Sequence, residues 1–488
     1  MKKRYDLIII GGGVTGCALA WYFSHYDFEI ALLEKEMDVC CGVSKANTGI
    51  FHSRSYWTPD TLKGELHLRS LSWFPRAKKE LDLPVRECGA LTVALSAADI
   101  GHLREVKARG RCPEAEIMGP IEARKREPNL NKNLKAAYYD PGTVVVSPFQ
   151  LVCSLAECAA LNGVEFHFDQ HVRGFDQTSK YIRVLTPENN WEAAFVITAA
   201  GLFSSEIARY SRDKISDIRP CRGEYFVLDR DCDGFVNRVL YPAPRERSKG
   251  ILVCPTPEGN VLAGPNFEPL DRFDSSTTYF GLEEVEKGAH RLTPHIPLHK
   301  NIRNFSGLRP TLPDRDFHIF FSNTYPNLLH LVGIESPGLT AAFGIAEYVG
   351  EKLHNKGLTL REKNDFRFRK AFPVFREADW KTREALIRED PDWGEIICRC
   401  EEVTVAEVKH ALRTPPGAST LDGLKRRIRT TAGRCQGSFC LMSIPRLMSE
   451  IGNVPYGNMY KEGRKSPLFA GETREECSRS EYAEKGSC

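Results

Sequence analysis

Residues 6–20 read DLIIIGGGVTGCALA, and their pattern separates into a strand, a turn and the opening of a helix. The apolar run at 5–10 is short and continuous, as a buried strand is. An apolar-periodic stretch, CALAWYFSHY, follows at 17–26, and a second apolar run, EIALLEK, closes at Glu34. Together they form a βαβ unit. Gly11, Gly13 and Gly16 occupy the G-x-G-x-x-G positions, which permit a tight turn and let backbone approach a pyrophosphate at the positive end of the helix. Glu34, at the end of the second strand, is placed to accept hydrogen bonds from a ribose diol. Val14, Thr15 and Lys35 complete the dinucleotide-binding set around this turn.

The chain has 488 residues, enough for several domains. Lys and Arg exceed Asp and Glu by three, 67 against 64, with both signs interleaved, so neither a nucleic-acid nor a membrane surface is indicated. The basic then apolar start MKKRYDLIII runs directly into glycines and reads as a strand rather than a signal peptide. No apolar run reaches the roughly 18 residues of a spanning helix. The 16 cysteines are scattered without a secretory signal, which fits a reducing cytoplasm, and Cys88, Cys153, Cys158 and Cys254 read as small buried hydrophobes.

Two later segments repeat the strand–turn–helix design: AAFVITAAGLFSSEIA (193–208), with Ala200 and Gly201 in the turn, and LLHLVGIESPGLTAAFGIAEYVGEKL (328–353), with Gly338, Leu339 and Thr340 opening the helix. Both bring backbone N–H groups toward one cofactor. RGEYFVLD, GILVCPT and NVLAGPN read as short strands of an antiparallel sheet, a separate substrate-side region. The expected organisation is an α/β domain over 1–355, with its substrate region mainly at 80–150 and 215–310. A charged, exposed helical linker follows at 356–392, then a small domain at 393–450 and a polar tail at 451–488.

The small domain carries ICRCEEVT (397–404) and AGRCQGSFC (432–440). Cys398 and Cys400 form one pair and Cys435 and Cys440 a second, the four thiolates that a [2Fe-2S] cluster needs. Structural zinc usually takes pairs two to four residues apart, so a C-x-C pair suits one tetrahedral ion less well; zinc and unliganded thiols are the alternatives. Thr404 and Glu407 spell a capping box opening the helix VAEVKHAL.

IIIGGGVTGCALA with Glu34, KANTGIFHSR (45–54), VITAAGLFSSEIA (196–208), GLRPTLPD (307–314) and VGIESPGLTAA (332–342) resemble, in order, the recurrent blocks of the FAD-dependent oxidoreductases of the D-amino-acid-oxidase type. The resemblance spans roughly 1–350. It implies a Rossmann-like FAD-binding domain beside an antiparallel-sheet substrate domain. The cysteine segments resemble the bacterioferritin-associated-ferredoxin type of [2Fe-2S] domain, here a small helical C-terminal domain. That combination is similar to the large subunits of anaerobic glycerol-3-phosphate dehydrogenases.

By this resemblance the loop with Ser44, Asn47 and Thr48 faces the isoalloxazine ring. His52 is the candidate base for a substrate hydroxyl, because imidazole titrates near the working pH; the alternative is that it only orients the loop. Arg309 resembles the arginine that binds substrate carboxylate, and its fork suits carboxylate or phosphate. Arg54, Lys63 and Arg222 are candidates for a second cationic contact with a small anionic substrate. The N–H groups at 338–340 would face the flavin where negative charge develops.

Three functions follow as expectations: oxidation of glycerol 3-phosphate, with electrons leaving through the cluster to a partner protein or subunit; oxidation of L-2-hydroxyglutarate or an amino acid such as proline on the same scaffold; or an electron-relay or iron-handling role without metabolite turnover. The expected location is the cytoplasm, with attachment to a membrane through a partner, and an oligomer remains open.

Overall fold

Strand Arg4–Ile10 lies inside an eight-stranded sheet, between Asn190–Thr198 and Ile30–Leu33 and parallel to both. The computed structural model describes residues 3–56, 59–109, 112–178, 180–243 and 250–471. Its backbone divides into two units, 1–372 and 373–488.

In the first unit the register makes four parallel strands end level: Ile10 pairs with Leu33 and with Thr198, and Leu33 pairs with His167 of Glu165–His167; a fifth, Leu328–Val332, pairs its His330 with Thr198 and runs two residues further. The carboxyl edge of such a sheet is where ligands bind, because the turns that follow the strands present their backbone there. Helix Val14–Phe23 is buried at every residue, as its small and apolar side chains allow. Gly16 brings it against the turn: a Cβ there would lie 1.8 Å from the Gly11 carbonyl oxygen. Gly344 does the same between two helices, where a Cβ would come within 2.1 Å of the Leu66 carbonyl oxygen. Gly16→Ala is therefore expected to destabilise the first unit by about 1–3 kcal/mol, the usual range for overpacking, and to lower the flavin content of the purified protein. Thermal unfolding and the flavin absorbance check both.

A second, nine-stranded sheet runs Glu268–Pro269, Arg219–Leu228, Val261–Gly264, Leu252–Pro255, Val239–Pro242, Ala90–Ala94, Ala136–Asp140, Glu116–Met118, and Asn301–Thr311 pairs along the whole other edge of Arg219–Leu228. It is antiparallel apart from one pair, Val239–Pro242 with Ala90–Ala94. That parallel pair corrects the all-antiparallel expectation: after Ala94 the chain adds Glu116–Met118 and Ala136–Asp140 to the sheet, passes through the first sheet and comes back beside Ala90–Ala94 as Val239–Pro242, the long connection that parallel neighbours require. Helix Tyr279–Leu292 covers one face through Val285, Ala289 and Leu292, which pack with Val253 and Ala263.

The stretch 356–392 is not the exposed helical linker that its charges suggest. Its first part is strapped to the first unit: the Phe366 ring stacks on His25 at 3.8 Å, Asp27 N–H donates to the Arg361 carbonyl at 2.8 Å, and Arg369 pairs with Glu157. Leu358, Leu360 and Phe366, spaced among charged neighbours, supply the apolar contacts. Only Trp380–Glu389 is an α-helix, capped by Asp379, and it belongs to the second unit.

That unit pairs Ile396–Cys398 with Val403–Thr404 and packs helices Val405–Arg413, Leu421–Ile428 and Ile444–Glu450 around Val408, Leu424 and Met448. The capping box forms as read: Thr404 Oγ1 accepts from Glu407 N–H, and Glu407 Oε2 accepts from Thr404 N–H at 2.8 Å. The start of the tail is not merely draped. Met459 is fully buried in this core, Leu468 packs on it, and Leu421 N–H donates to the Tyr460 carbonyl. The remainder, 472–488, lies outside the described residues. Among the described residues no helix is long and apolar enough to cross a membrane.

Candidate functional site

A cavity of about 390 Å³ opens at the carboxyl edge of the eight-stranded sheet and reaches strand Asn301–Thr311 of the second sheet. Its lining includes Gly11, Gly13, Val14, Thr15, Glu34, Lys35, Ser44, Asn47, Thr48, Ala200, Gly201, Gly338, Leu339 and Thr340. Of the expected cofactor set only Gly16 is absent from the wall, since it sits behind the turn that it allows to close.

The turn itself is built for approach. Gly11 holds φ +112°, and a Cβ there would lie 2.5 Å from the Ala199 carbonyl oxygen. Gly12 N–H donates to Glu34 Oε2 at 2.6 Å and Glu36 N–H to Oε1 at 2.9 Å, so the carboxylate is clamped beside the glycines. Burial pushes the Glu34 pKa up, against the opposing pull of these two N–H groups. Ser44 Oγ accepts from Val14 N–H at 2.9 Å. Gly13 caps the helix without a side chain, and the first turn carries no acidic residue, leaving the positive helix end for an anion. Asn47 closes its loop by donating to the Ser44 carbonyl and accepting from Gly49 N–H, both at 2.8 Å. These donors, with the clamped carboxylate and the glycine turn, fit a dinucleotide.

At the other end, His52 is buried, with Nδ1 3.2 Å from the Tyr241 hydroxyl. Its backbone N–H donates to Thr340 Oγ1 at 3.1 Å, so Thr340 clips the His52 loop to the start of helix Gly338–Asn355. That helix also begins without a side-chain cap or an acidic residue in its first turn.

Arg309 is positioned by the long strand pair: it lies opposite Cys221, with Gly223 opposite Gly307 one step along the same face. Gly223 leaves room for the guanidinium, since a Cβ there would come within 2.7 Å of Arg309 Nη2. Gly307 lets the strand pass the loop at Ala46, where a Cβ would lie 2.3 Å from the Ala46 carbonyl oxygen. Arg309 faces the Phe267 ring at 5.8 Å, the Cys221 sulfur at 4.0 Å and the Tyr225 hydroxyl. Among the described residues it forms no ion pair. A guanidinium in a cavity with no ion-pair partner among the described residues is chemically suited to an anion.

The other three cations are placed elsewhere, and none lines the cavity. Arg54 is exposed. Lys63 reaches the Arg315 carbonyl and lies 3.4 Å from Glu335. Arg222 is buried against Glu224, Glu268 and Asp274, so its charge is already matched. Sequence reading missed Tyr225, Tyr241 and Glu335, all at this end. Glu335 lies in a quoted motif, whereas the two tyrosines enter through strand pairing that no local pattern encodes. Cys153, Cys158 and Cys254 are buried as expected; Cys88 is only half-buried, at the margin of a small cluster with Ala90, Tyr241 and Cys254.

In the second unit the four thiols meet in two pairs, Cys398 with Cys440 and Cys400 with Cys435. Cys398 donates to the Cys440 sulfur, which pushes its own pKa up and brings that of Cys440 down to about 7. Burial opposes ionisation of Cys435, but the Cys400 thiol and the N–H groups of Gly437 and Phe439 hold its pKa below the usual range. Glu401 and Thr431 N–H groups point at the first pair. Gly433 admits the loop, since a Cβ there would lie 2.4 Å from Cys400 Cβ. Two thiol pairs with backbone donors fit two irons, each taking two thiolates. Among the described residues no three metal-binding side chains converge on one ion.

Residues 6–352 match the family model described as FAD dependent oxidoreductase, and 396–450 match that of the BFD-like [2Fe-2S] binding domain. A glycerol 3-phosphate dehydrogenase of Caloramator mitchellensis is 33% identical over 477 residues, covering 97% of this chain and 99% of the relative. A glycerol 3-phosphate oxidase of Mycoplasma genitalium is 26% identical over 72% of this chain and 96% of its own length. The solved L-alpha-glycerophosphate oxidase of Mycoplasma pneumoniae with FAD bound superposes with a TM-score of 0.71 at 26% identity, covering 76% of this chain and all of that one. The cofactors are thus FAD and a [2Fe-2S] cluster, and this chain belongs to the FAD-dependent oxidoreductase family.

Proposed function

We propose that the protein is a glycerol-3-phosphate dehydrogenase that passes its electrons out through the second unit. The observation that carries this reading is the end-to-end match, through both domains, to a relative named for that activity. The relatives named L-2-hydroxyglutarate dehydrogenase cover at most 72% of the chain.

Bound FAD supplies a two-electron hydride acceptor, and the cluster supplies a one-electron carrier. Gly11, Gly13, Glu34 and Ser44 hold the dinucleotide, and the start of helix Gly338–Asn355 offers its N–H groups where negative charge grows on reduction. Arg309 takes the phosphate. His52, its imidazole oriented by Tyr241 at Nδ1, accepts the hydroxyl proton as the carbon-bound hydride departs. Cys398, Cys400, Cys435 and Cys440 hold the cluster. The acceptor is a partner protein or subunit, and any attachment to a membrane runs through that partner.

Anaerobic titration of the cluster-loaded protein with glycerol 3-phosphate tests the whole reading. Flavin bleaching and the electron-spin signal of the reduced cluster should rise together; reduction of both centres by dithionite but by no glycerol phosphate would remove the substrate. Arg309→Lys keeps the charge but loses the fork and is expected to raise KM about tenfold, with a smaller change in kcat. Steady-state turnover with an artificial dye measures it, and an unchanged KM would put the anion elsewhere.

A further inference from the structure

The loop that holds two of the cluster thiols also carries apolar side chains that serve no core. Phe439, between Cys435 and Cys440, is 62% exposed, and Leu441 and Met442 beyond it are 36% and 84% exposed. The core of the unit is completed without them, by Ile444, Leu447 and Met448. Their surroundings are basic. From 425 to 448 the chain holds Lys425, Arg426, Arg427, Arg429, Arg434 and Arg446 and no Asp or Glu. Arg426 is buried and Arg429 is paired with Glu401; Arg434 and Arg446 are exposed, Arg446 with Glu450 at 4.0 Å, and the exposed Arg399 lies over the Phe439 ring at 5.9 Å. Exposed apolar side chains clustered along the chain and rimmed by charge suit a protein contact surface, and a rim in which arginines outnumber acids favours an acidic partner.

We propose that Phe439, Leu441 and Met442, rimmed by Arg399, Arg434 and Arg446, form the docking surface for an acidic electron-carrier protein. The proposal deepens the reading of the second unit as the electron exit and rests on it. Its position argues for a protein carrier over a lipid surface: the patch grows out of the cysteine loop itself, so a docked carrier brings its own redox centre next to the thiols. In the exchange one electron leaves the reduced cluster and enters the oxidised centre of the carrier; no bond forms or breaks and no proton moves.

The test uses the full-length, cluster-loaded protein, with acidic cytochrome b5 as the probe and basic cytochrome c as the charge control. The cluster is reduced with dithionite and the excess removed, so that a failure of glycerol 3-phosphate to reduce the flavin leaves this test intact and tells against the substrate alone. Binding of oxidised cytochrome b5 to the oxidised protein is measured by calorimetry, and electron transfer by stopped flow. Met442→Glu and Arg446→Glu are each expected to weaken binding and slow transfer to cytochrome b5 about tenfold, with a shallower salt dependence. Dye turnover and the cluster spectrum should be unchanged in both.

Unaltered binding by both variants, or a preference for cytochrome c, would overturn the proposal. So would binding of the wild-type protein to vesicles of phosphatidylglycerol and phosphatidylcholine without affinity for cytochrome b5, which would make the patch a lipid surface. A dimer that Met442→Glu splits would make it a contact between copies of this chain.

Discussion

His52→Gln is expected to lower kcat with glycerol 3-phosphate by about 10² to 10⁴-fold, the span of a lost general base, while the flavin stays bound. Both halves of the expectation come from where His52 sits. Its ring lines the cavity with Nδ1 against the Tyr241 hydroxyl, while its place in the fold is held by the backbone, through the N–H donated to Thr340 Oγ1. Changing the side chain therefore leaves the loop tied to helix Gly338–Asn355. Tyr241→Phe should cost less, since it removes the group that orients the ring and leaves the base itself. The pH profile separates the base from a merely structural imidazole. Without the base, the alcohol must lose its proton to solvent, so the variant's rate should keep rising with pH where the wild type levels off. A variant that bleaches its flavin at the wild-type rate across the pH range would assign His52 to holding the loop.

How much of this was legible before any coordinates depends on the range over which each interaction is encoded. The βαβ unit at 5–35 is local: strand, glycine turn, helix and Glu34 follow within one stretch, and the clamp of Glu34 by Gly12 N–H completes what the spacing implies. The capping box at Thr404 and Glu407 is equally local, and it forms. The cysteine pairing is only half local. Cys398 and Cys400 look like one pair along the chain, yet each thiol meets a partner from the distant loop, Cys440 and Cys435. Arg222 and Arg309 are indistinguishable as arginines on strands. What separates them is that Arg222 is surrounded by Glu224, Glu268 and Asp274, whereas Arg309 lies over Gly223 and, among the described residues, pairs with no carboxylate. That difference arises from pairing across the second sheet, and from which residues the fold brings to either side of it. The stretch 356–372 misled for the opposite reason: its charges dominate the pattern, and three spaced apolar residues with the ring of Phe366 on His25 decide where it lies.

Cys440→Ser is expected to abolish the absorbance and electron-spin signal of the cluster outright and, with them, electron transfer to any protein acceptor. Cys440 meets Cys398, whose thiol lowers its pKa, and a thiolate there is one of the four ligands the cluster needs. A serine hydroxyl offers no comparable anion near neutral pH. Metal binding and folding are linked, so the variant's second unit should also lose stability, seen as a lower unfolding midpoint of the metal-loaded preparation and easier proteolysis within 396–450. The first unit has its own core, and Cys440 contributes nothing to the cavity. Glycerol 3-phosphate should therefore still bleach the flavin, and a small dye that takes electrons from the flavin should still be reduced. Cys112→Ser, in the first unit at a half-buried thiol, should leave both signals intact. If Cys440→Ser kept the cluster, the four-thiol set would be wrong. If it stopped flavin bleaching while Cys112→Ser did not, the two units would be coupled more tightly than separate cofactor sites require, and the cluster would help to govern substrate oxidation as well as electron exit.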